Sequence, residues 1–180
     1  GVASIGETPP FAARAMALAA RAIVESGGSV VIAENATLLS EPEFKASLMG
    51  AIADTPGPSL AYGQAILQAG LHIMDTPTRD LVETSTGLGA TGVDLLVVLG
   101  DHAAHISHPM LPVVQLRCGA NTEGDEDSDL VLTSAMDLSE AATAILEACA
   151  GAFSRTDSTE EFSVNRADFQ MTRGWLGVSL

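Results

Sequence analysis

The chain has 180 residues, 47% of them hydrophobic, with a mean hydropathy of +0.28, which suits one folded domain with its own core and excludes a disordered chain. Its 23 acidic and 8 basic side chains leave a formal charge of −15, which would repel a phosphate backbone and offers no counterion release, so nucleic acid is excluded as a partner. No apolar run approaches the ~20 residues of a membrane span, and the first residues lack the basic region and apolar core of a secretory signal, so no membrane partner and a cytoplasmic location are expected.

Thr8-Pro9-Pro10-Phe11 opens a helix, with Thr8 as N-cap and Pro9 at the first helical position. Phe11, Ala15, Leu18, Ala19, Ala22 and Ile23 recur at helical spacing until Ser26-Gly27-Gly28 stops the run. Ser29 to Glu34 is a β-branched stretch that reads as a buried strand with an acid at its carboxyl end. Glu34 could be a catalytic or ligand-binding acid at a strand tip or a cap for the turn at Asn35, and the residues alone favour the cap. Glu41 to Ala53 carries an amphipathic helix, followed by a turn at Asp54 to Pro58. Tyr62, Ile66, Leu67 and Ala69 predict a short helix stopped at Gly70, and Leu71 to Met74 a strand ending in Asp75-Thr76-Pro77. Asp80 to Ala90 reads as a helix weakened by Thr84, Ser85, Thr86 and Gly87, so part of it could be loop lining a pocket.

Leu95 to Leu99 is an unbroken apolar run closed by Gly100, which suits a parallel strand covered on both faces. Chemistry-bearing residues follow at once: Asp101, His102, His105 and His108, holding three of the chain's four histidines. Ligands of open α/β sheets bind beyond the carboxyl ends of the strands. Glu34, Asp75, Thr76, Gly100, Asp101 and His102 are therefore expected at one sheet edge. His102, His105 and His108 are spaced by three, so adjacent pairs on a helical turn could converge on a metal, with Asp101 completing a mixed set. The alternative is a set of exposed loop histidines pinned by Pro109 and making ordinary hydrogen bonds.

Pro112 to Leu116 is a further strand, and Asn121 to Asp129 an acidic loop without the Gly and closing Glu of a calcium loop. Ser139 to Ala152 is a helix with Ser139 as N-cap. From residue 155 to 180 a polar tail ends in the apolar segment Trp175 to Leu180, expected to dock on the body. Cys118 and Cys149 are isolated thiols without metal-type spacing, and Cys149 reads as a small core residue. Strand and helix alternate, which predicts one α/β domain over residues 1–180 with a mainly parallel sheet and helices on both faces, in Rossmann-like or flavodoxin-like layering. Strand order is not readable. No Gly-x-Gly-x-x-Gly or Walker-type motif occurs, so no nucleotide cofactor is expected. The apolar content and tail point to a homo-oligomer.

Several short motifs, in order, give a family likeness. Gly6-Glu7-Thr8-Pro9-Pro10, Ser29 to Glu34, Met74-Asp75-Thr76-Pro77, Thr86-Gly87 with Ala90-Thr91-Gly92-Val93-Asp94, Pro112 to Leu116 with Asn121-Thr122, and Phe169 through Trp175 and Gly177 carry it. The chain resembles the carboxyl-terminal catalytic region of the altronate and galactarate dehydratase family, which removes water from sugar acids. The resemblance implies a hydro-lyase domain or subunit acting on a small anionic hydroxy acid, with an amino-terminal domain or partner subunit of the same enzyme as its partner.

A reaction of that kind needs a base, an acid and a stabiliser for the enolate, commonly a divalent metal such as iron, manganese, magnesium or zinc. Asp75, Asp101 and His102 are the expected catalytic residues. Thr8, Glu34, Thr76, Thr86, Gly87 and Gly100 are the expected substrate contacts, and His102, His105 and His108 the metal ligands. The family's Thr-Pro-Gly-Asn-Lys appears as Thr55-Pro56-Gly57-Pro58-Ser59, and its Thr-Thr-Gly-Arg-Gly as Val98-Leu99-Gly100-Asp101-His102. The missing Lys and Arg leave a bound metal or protonated histidines as the expected carboxylate partners. They also leave open a non-catalytic binding or assembly module derived from the same family.

Overall fold

Six short segments pair side by side, all parallel, in the computed structural model, which describes residues 1–49, 59–100, 106–118, 128–155, 172–173 and 178–179. They are β1 (Val2–Ser4), β2 (Ser29–Ala33), β3 (Gly70–Met74), β4 (Leu96–Gly100), β5 (Val113–Cys118) and β6 (Leu130–Leu132), in the spatial order β3-β2-β1-β4-β5-β6. That is the doubly wound order of Rossmann type rather than the flavodoxin order. β4 is buried along its whole length and β2 over all but Ser29, as continuous apolar runs in a parallel sheet must be when helices cover both faces.

Among the described residues four α-helices supply the cover. The chain steps outward from β1 through α1 (Pro10–Glu25) to β2 and through α2 (Pro42–Met49) to β3. It then returns through α3 (Leu81–Ala90) past β1 to β4. Right-handed crossovers in opposite directions put their helices on opposite faces. Accordingly α1 packs against α2 and α4 (Leu138–Arg155), whereas α3 packs on β1, β2 and β4. α1 approaches closely because its buried face is small: Ala12, Ala13, Ala15, Ala17, Ala19 and Ala20 surround Met16. β5 alternates between half-buried and buried positions, and the described part of the β4–β5 connection contains no helix to cover its second face. Separately, β7 (Thr172–Arg173) and β8 (Val178–Ser179) form a small antiparallel pair.

The structure revises several local expectations. β1 and β6 are strands the sequence did not announce. No helix forms over residues 62–69; a turn at Tyr62-Gly63 is closed by Gln64 N–H on the Ala61 carbonyl, and Leu67 is 88% exposed. α1 begins at Pro10 with Pro9 as N-cap, so Thr8 does not cap it. α4 is capped by Asp137, whose Oδ2 accepts from Ser139 N–H (2.9 Å), rather than by Ser139. The stretch after Asp80 is helix throughout, its Thr84, Ser85, Thr86 and Gly87 all buried. Cys149 packs against the core, and burial pushes its thiol up, as befits a structural cysteine. Among the described residues no helix is long and apolar enough to cross a membrane. The acidic residues 121–127 and the tail from 156, apart from the backbone of β7 and β8, lie outside the described residues.

Tyr62 locks α3 to the turn before β3. Its hydroxyl donates to the Glu83 carbonyl (2.7 Å), and its ring lies against Gly87, where a Cβ would overlap it. An alanine there gains about 1 kcal/mol of helix propensity but is overpacked by about 1–3 kcal/mol. Gly87→Ala is thus expected to lower stability in urea unfolding by about 1 kcal/mol, and to raise it in a Tyr62→Ala background where the ring is gone. Burial, with the Glu83 and Asp80 carboxylates, pushes the Tyr62 phenol from 10.0 up to about 12. A raised folded value favours the neutral phenol, so this contribution is intact below pH 10 and is lost as pH rises through about 12. Tyr62 is the chain's one tyrosine, so the ultraviolet phenolate band should titrate near 12 in the folded protein and near 10 in urea.

Candidate functional site

Because every strand of the large sheet runs the same way, the segments that leave β1, β2 and β3 all open at one edge. There they enclose a cleft of about 720 Å³, lined by Ser4 to Gly6, Glu34 to Thr37, Thr76 to Arg79, and Thr84 of α3. Gly6 turns the chain out of β1 in the left-handed region (φ 69°), where a side chain would be strained.

Backbone N–H groups arrange the polar lining. Each strand end leaves donors that the sheet no longer pairs, and buried donors must find acceptors. Leu38 N–H donates to Ser4 Oγ (2.8 Å), and Asn35 N–H to Thr76 Oγ1 (3.1 Å). Asn35 also spans the cleft wall: its Nδ2 donates to the Thr78 carbonyl (2.8 Å) and to Thr84 Oγ1 (3.0 Å), joining the end of β2 to the β3–α3 loop and to α3. A carbonyl only accepts, so this contact sets which way the amide faces.

The same loop is tied at the start of α3. Asp80 is the N-cap, accepting from Glu83 N–H (2.8 Å). In the other direction Asp80 N–H donates to Thr78 Oγ1 (3.2 Å), and the Thr78 hydroxyl donates to Glu83 Oε2 (2.5 Å). This is a capping box whose third-position glutamate reaches the cap N–H through an interposed hydroxyl. Glu83 is 1% exposed and does not line the cleft, so its side chain ties the loop from the interior. Arg79 sits between the two anchors, exposed, lining the cleft and in no ion pair among the described residues. Asp80-Leu81-Val82-Glu83 was the sequence signal for this cap; Arg79 had none beyond its place at a strand tip.

The structure distributes the expected site residues unevenly. Glu34 and Thr76 line the cleft. Asp75 is exposed just past β3, its N–H donating to the Leu60 carbonyl (2.8 Å), and Gly100 ends β4 at the same edge. Thr8 is buried and bonds the Thr37 hydroxyl (3.3 Å) behind the cleft. Thr86 donates to the Val82 carbonyl within α3 (2.9 Å), and Gly87 packs on Tyr62, so neither lines the cleft. Asp101, His102 and His105 lie outside the described residues.

His108 sits apart from this edge. It is buried, its Nδ1 accepts from Met110 N–H (3.2 Å), and its ring abuts Gly89 at the last turn of α3, one helix length from Asp80. Burial pushes its pKa below 6.5, which favours the neutral ring over the imidazolium that was one of the two expected carboxylate partners. No three His, Cys, Asp or Glu side chains gather to hold a metal among the described residues. Compared with protein-family models and with curated proteins, the chain matches none.

Asn35 is the testable joint of the wall. Asn35→Asp at neutral pH replaces the donor facing the Thr78 carbonyl with an anion, so unfolding should cost about 2–3 kcal/mol less than in the parent protein. Asn35→Ala, which only deletes the bonds, should lose about 1–2 kcal/mol. If urea melts show Asn35→Asp as stable as the parent at pH 7, the assigned amide orientation is wrong.

Proposed function

We propose that the cleft at the carboxyl edge of β1, β2 and β3 binds a small hydroxy acid, and that the chain is the substrate-binding part of a hydro-lyase, as its resemblance to the sugar-acid dehydratases implies. The observation that carries this reading is Arg79. A cation on a loop held by Asn35, Thr78 and Asp80 lines the same cleft as Glu34 and a row of hydroxyls. The expectation that positive charge must come from a metal or a histidine overlooked it. A guanidinium is the natural bidentate partner of a carboxylate, and hydroxyl and amide side chains suit the hydroxyls of a sugar acid.

In this reading Arg79 holds the carboxylate, and Glu34 exchanges the proton on the adjacent carbon or the leaving hydroxyl. Asp75, with Asp101 and His102 next to Gly100, supplies the second acid–base group. A divalent ion, with His102 and His105 as proposed ligands, would supply Lewis-acid stabilisation of an enolate when bound. His108 does not fit that role, with Nδ1 engaged and its ring against Gly89.

The test is calorimetric titration of the protein with galactarate and with the uncharged polyol galactitol. Galactarate should bind and galactitol should not, and Arg79→Met should weaken galactarate at least about tenfold, the loss of a charge-assisted bond. Glu34→Gln should keep binding within about threefold while turnover, followed as the dehydrated product, falls about 10²-fold or more. Unchanged galactarate affinity in Arg79→Met would sink the reading.

A further inference from the structure

At the inner end of the cleft three hydroxyls stand in line. Thr8 Oγ1 and Thr37 Oγ1 are 3.3 Å apart, and the Thr37 hydroxyl donates to Ser4 Oγ at 3.1 Å. Ser4 and Thr8 are 4% and 5% exposed, yet Ser4 lines the cleft. Each hydroxyl carries a single proton and two lone pairs. Thr37 commits its proton to Ser4, so it must accept from Thr8, and the proton order runs Thr8 to Thr37 to Ser4. Ser4 Oγ also accepts from Leu38 N–H (2.8 Å), which fills its second lone pair. Its own proton has no acceptor among the described residues, although Ser4 lines the cleft.

We propose that Ser4 is the hydrogen-bond donor at the floor of the cleft, and that the ligand group seated on it is an acceptor oxygen of a carboxylate, carbonyl or hydroxyl, never an ammonium. The chemistry follows from the count: with both lone pairs taken, Ser4 can only donate. Two incoming bonds polarise the outgoing O–H and strengthen it, as in any cooperative chain. The chain is closed from behind by the end of β1, and Leu38 N–H belongs to the short 3₁₀ turn Thr37–Ser40 that follows β2, so the donor direction is built into the backbone. A ligand held by Arg79 at the rim is therefore met at the floor by a donor of no net charge, which selects oxygen without adding a second cation. This assignment rests on the reading of the cleft as a hydroxy-acid site.

Two measurements separate the donor from that reading. In a high-resolution crystal structure of the ligand-free protein, a water should stand within about 3 Å of Ser4 Oγ on the cleft side. A Ser4 hydroxyl turned instead to a protein carbonyl overturns the proposal whatever the cleft binds. In galactarate titrations, Ser4→Ala should weaken binding about tenfold. Thr37→Val, which leaves Ser4 in place but removes the bond feeding it, should weaken binding about threefold. Thermal melts of both variants confirm the folded state. Parental affinity in folded Ser4→Ala with lost affinity in Arg79→Met refutes the donor and leaves the acid site standing. Absence of galactarate binding by the parent protein removes the acid site, and the crystal result alone then decides whether Ser4 donates into the cleft.

Discussion

A strand of three residues holds the two halves of the sheet together. Val2 faces Ile32 of β2 on one side and Val97 of β4 on the other, and Ser4 lies in register with Leu99. Ile5 N–H adds a last bond to the Leu99 carbonyl (2.9 Å). All three residues of β1 are buried, as a strand at the centre of a doubly wound sheet must be. Remove it, and β2–β3 and β4–β5–β6 become separate ribbons whose ends no longer share an edge. The cleft exists because β1 brings its own carboxyl end level with those of β2 and β3.

From that edge a single rule organises the polar groups. Backbone N–H groups that run past the last ladder bond are satisfied by side-chain oxygens: Leu38 N–H by Ser4, Asn35 N–H by Thr76, Asp80 N–H by Thr78. A hydroxyl spent as an acceptor keeps its proton for something else. Thr78 gives its proton to Glu83, while Ser4 has no such internal outlet among the described residues. A chain with a formal charge of −15 thus carries a cleft in which donors and one guanidinium are prominent. Overall charge bears on bulk partners such as nucleic acid, and says little about a pocket whose character is set by a few oriented dipoles.

Much of this frame was legible in the residues. β2 and β4 are continuous apolar runs, α1 and α4 have clear apolar periodicity, and Glu34, Asp75, Thr76 and Gly100 do come to one edge, because alternating strands and helices force a parallel sheet. What was not legible had physical causes. Three residues such as Val2–Ser4 or Leu130–Leu132 are too few to show any period, so their strand character comes from neighbours far away in sequence. The apolar spacing of Tyr62, Ile66 and Leu67 imitates a helix, but Tyr62 is used as a wedge on Gly87 and Leu67 stays outside the core. Thr84, Thr86 and Gly87 are poor helix formers: Thr84 is held by the tertiary bond from Asn35 and Gly87 by packing on Tyr62, while Thr86 bonds back to the Val82 carbonyl within the helix. Arg79 had no motif, since its role depends on a loop fixed by Asn35, more than forty positions away in sequence.

The pairing of Val2 with Val97 also sets a clock. Those partners are 95 positions apart (97 − 2), so the middle of the sheet cannot close until β4 has been made as well as β1. At about 5–20 residues per second on the ribosome, the edge of β1 that will face β4 waits on the order of 5–20 seconds for that strand to emerge. Through that interval the free edge of β1, Val2–Ser4, is open to any strand that comes by. Contacts this distant also make for slow refolding. The stretch most exposed to mispairing during synthesis thus ends in Ser4, which later lines the cleft.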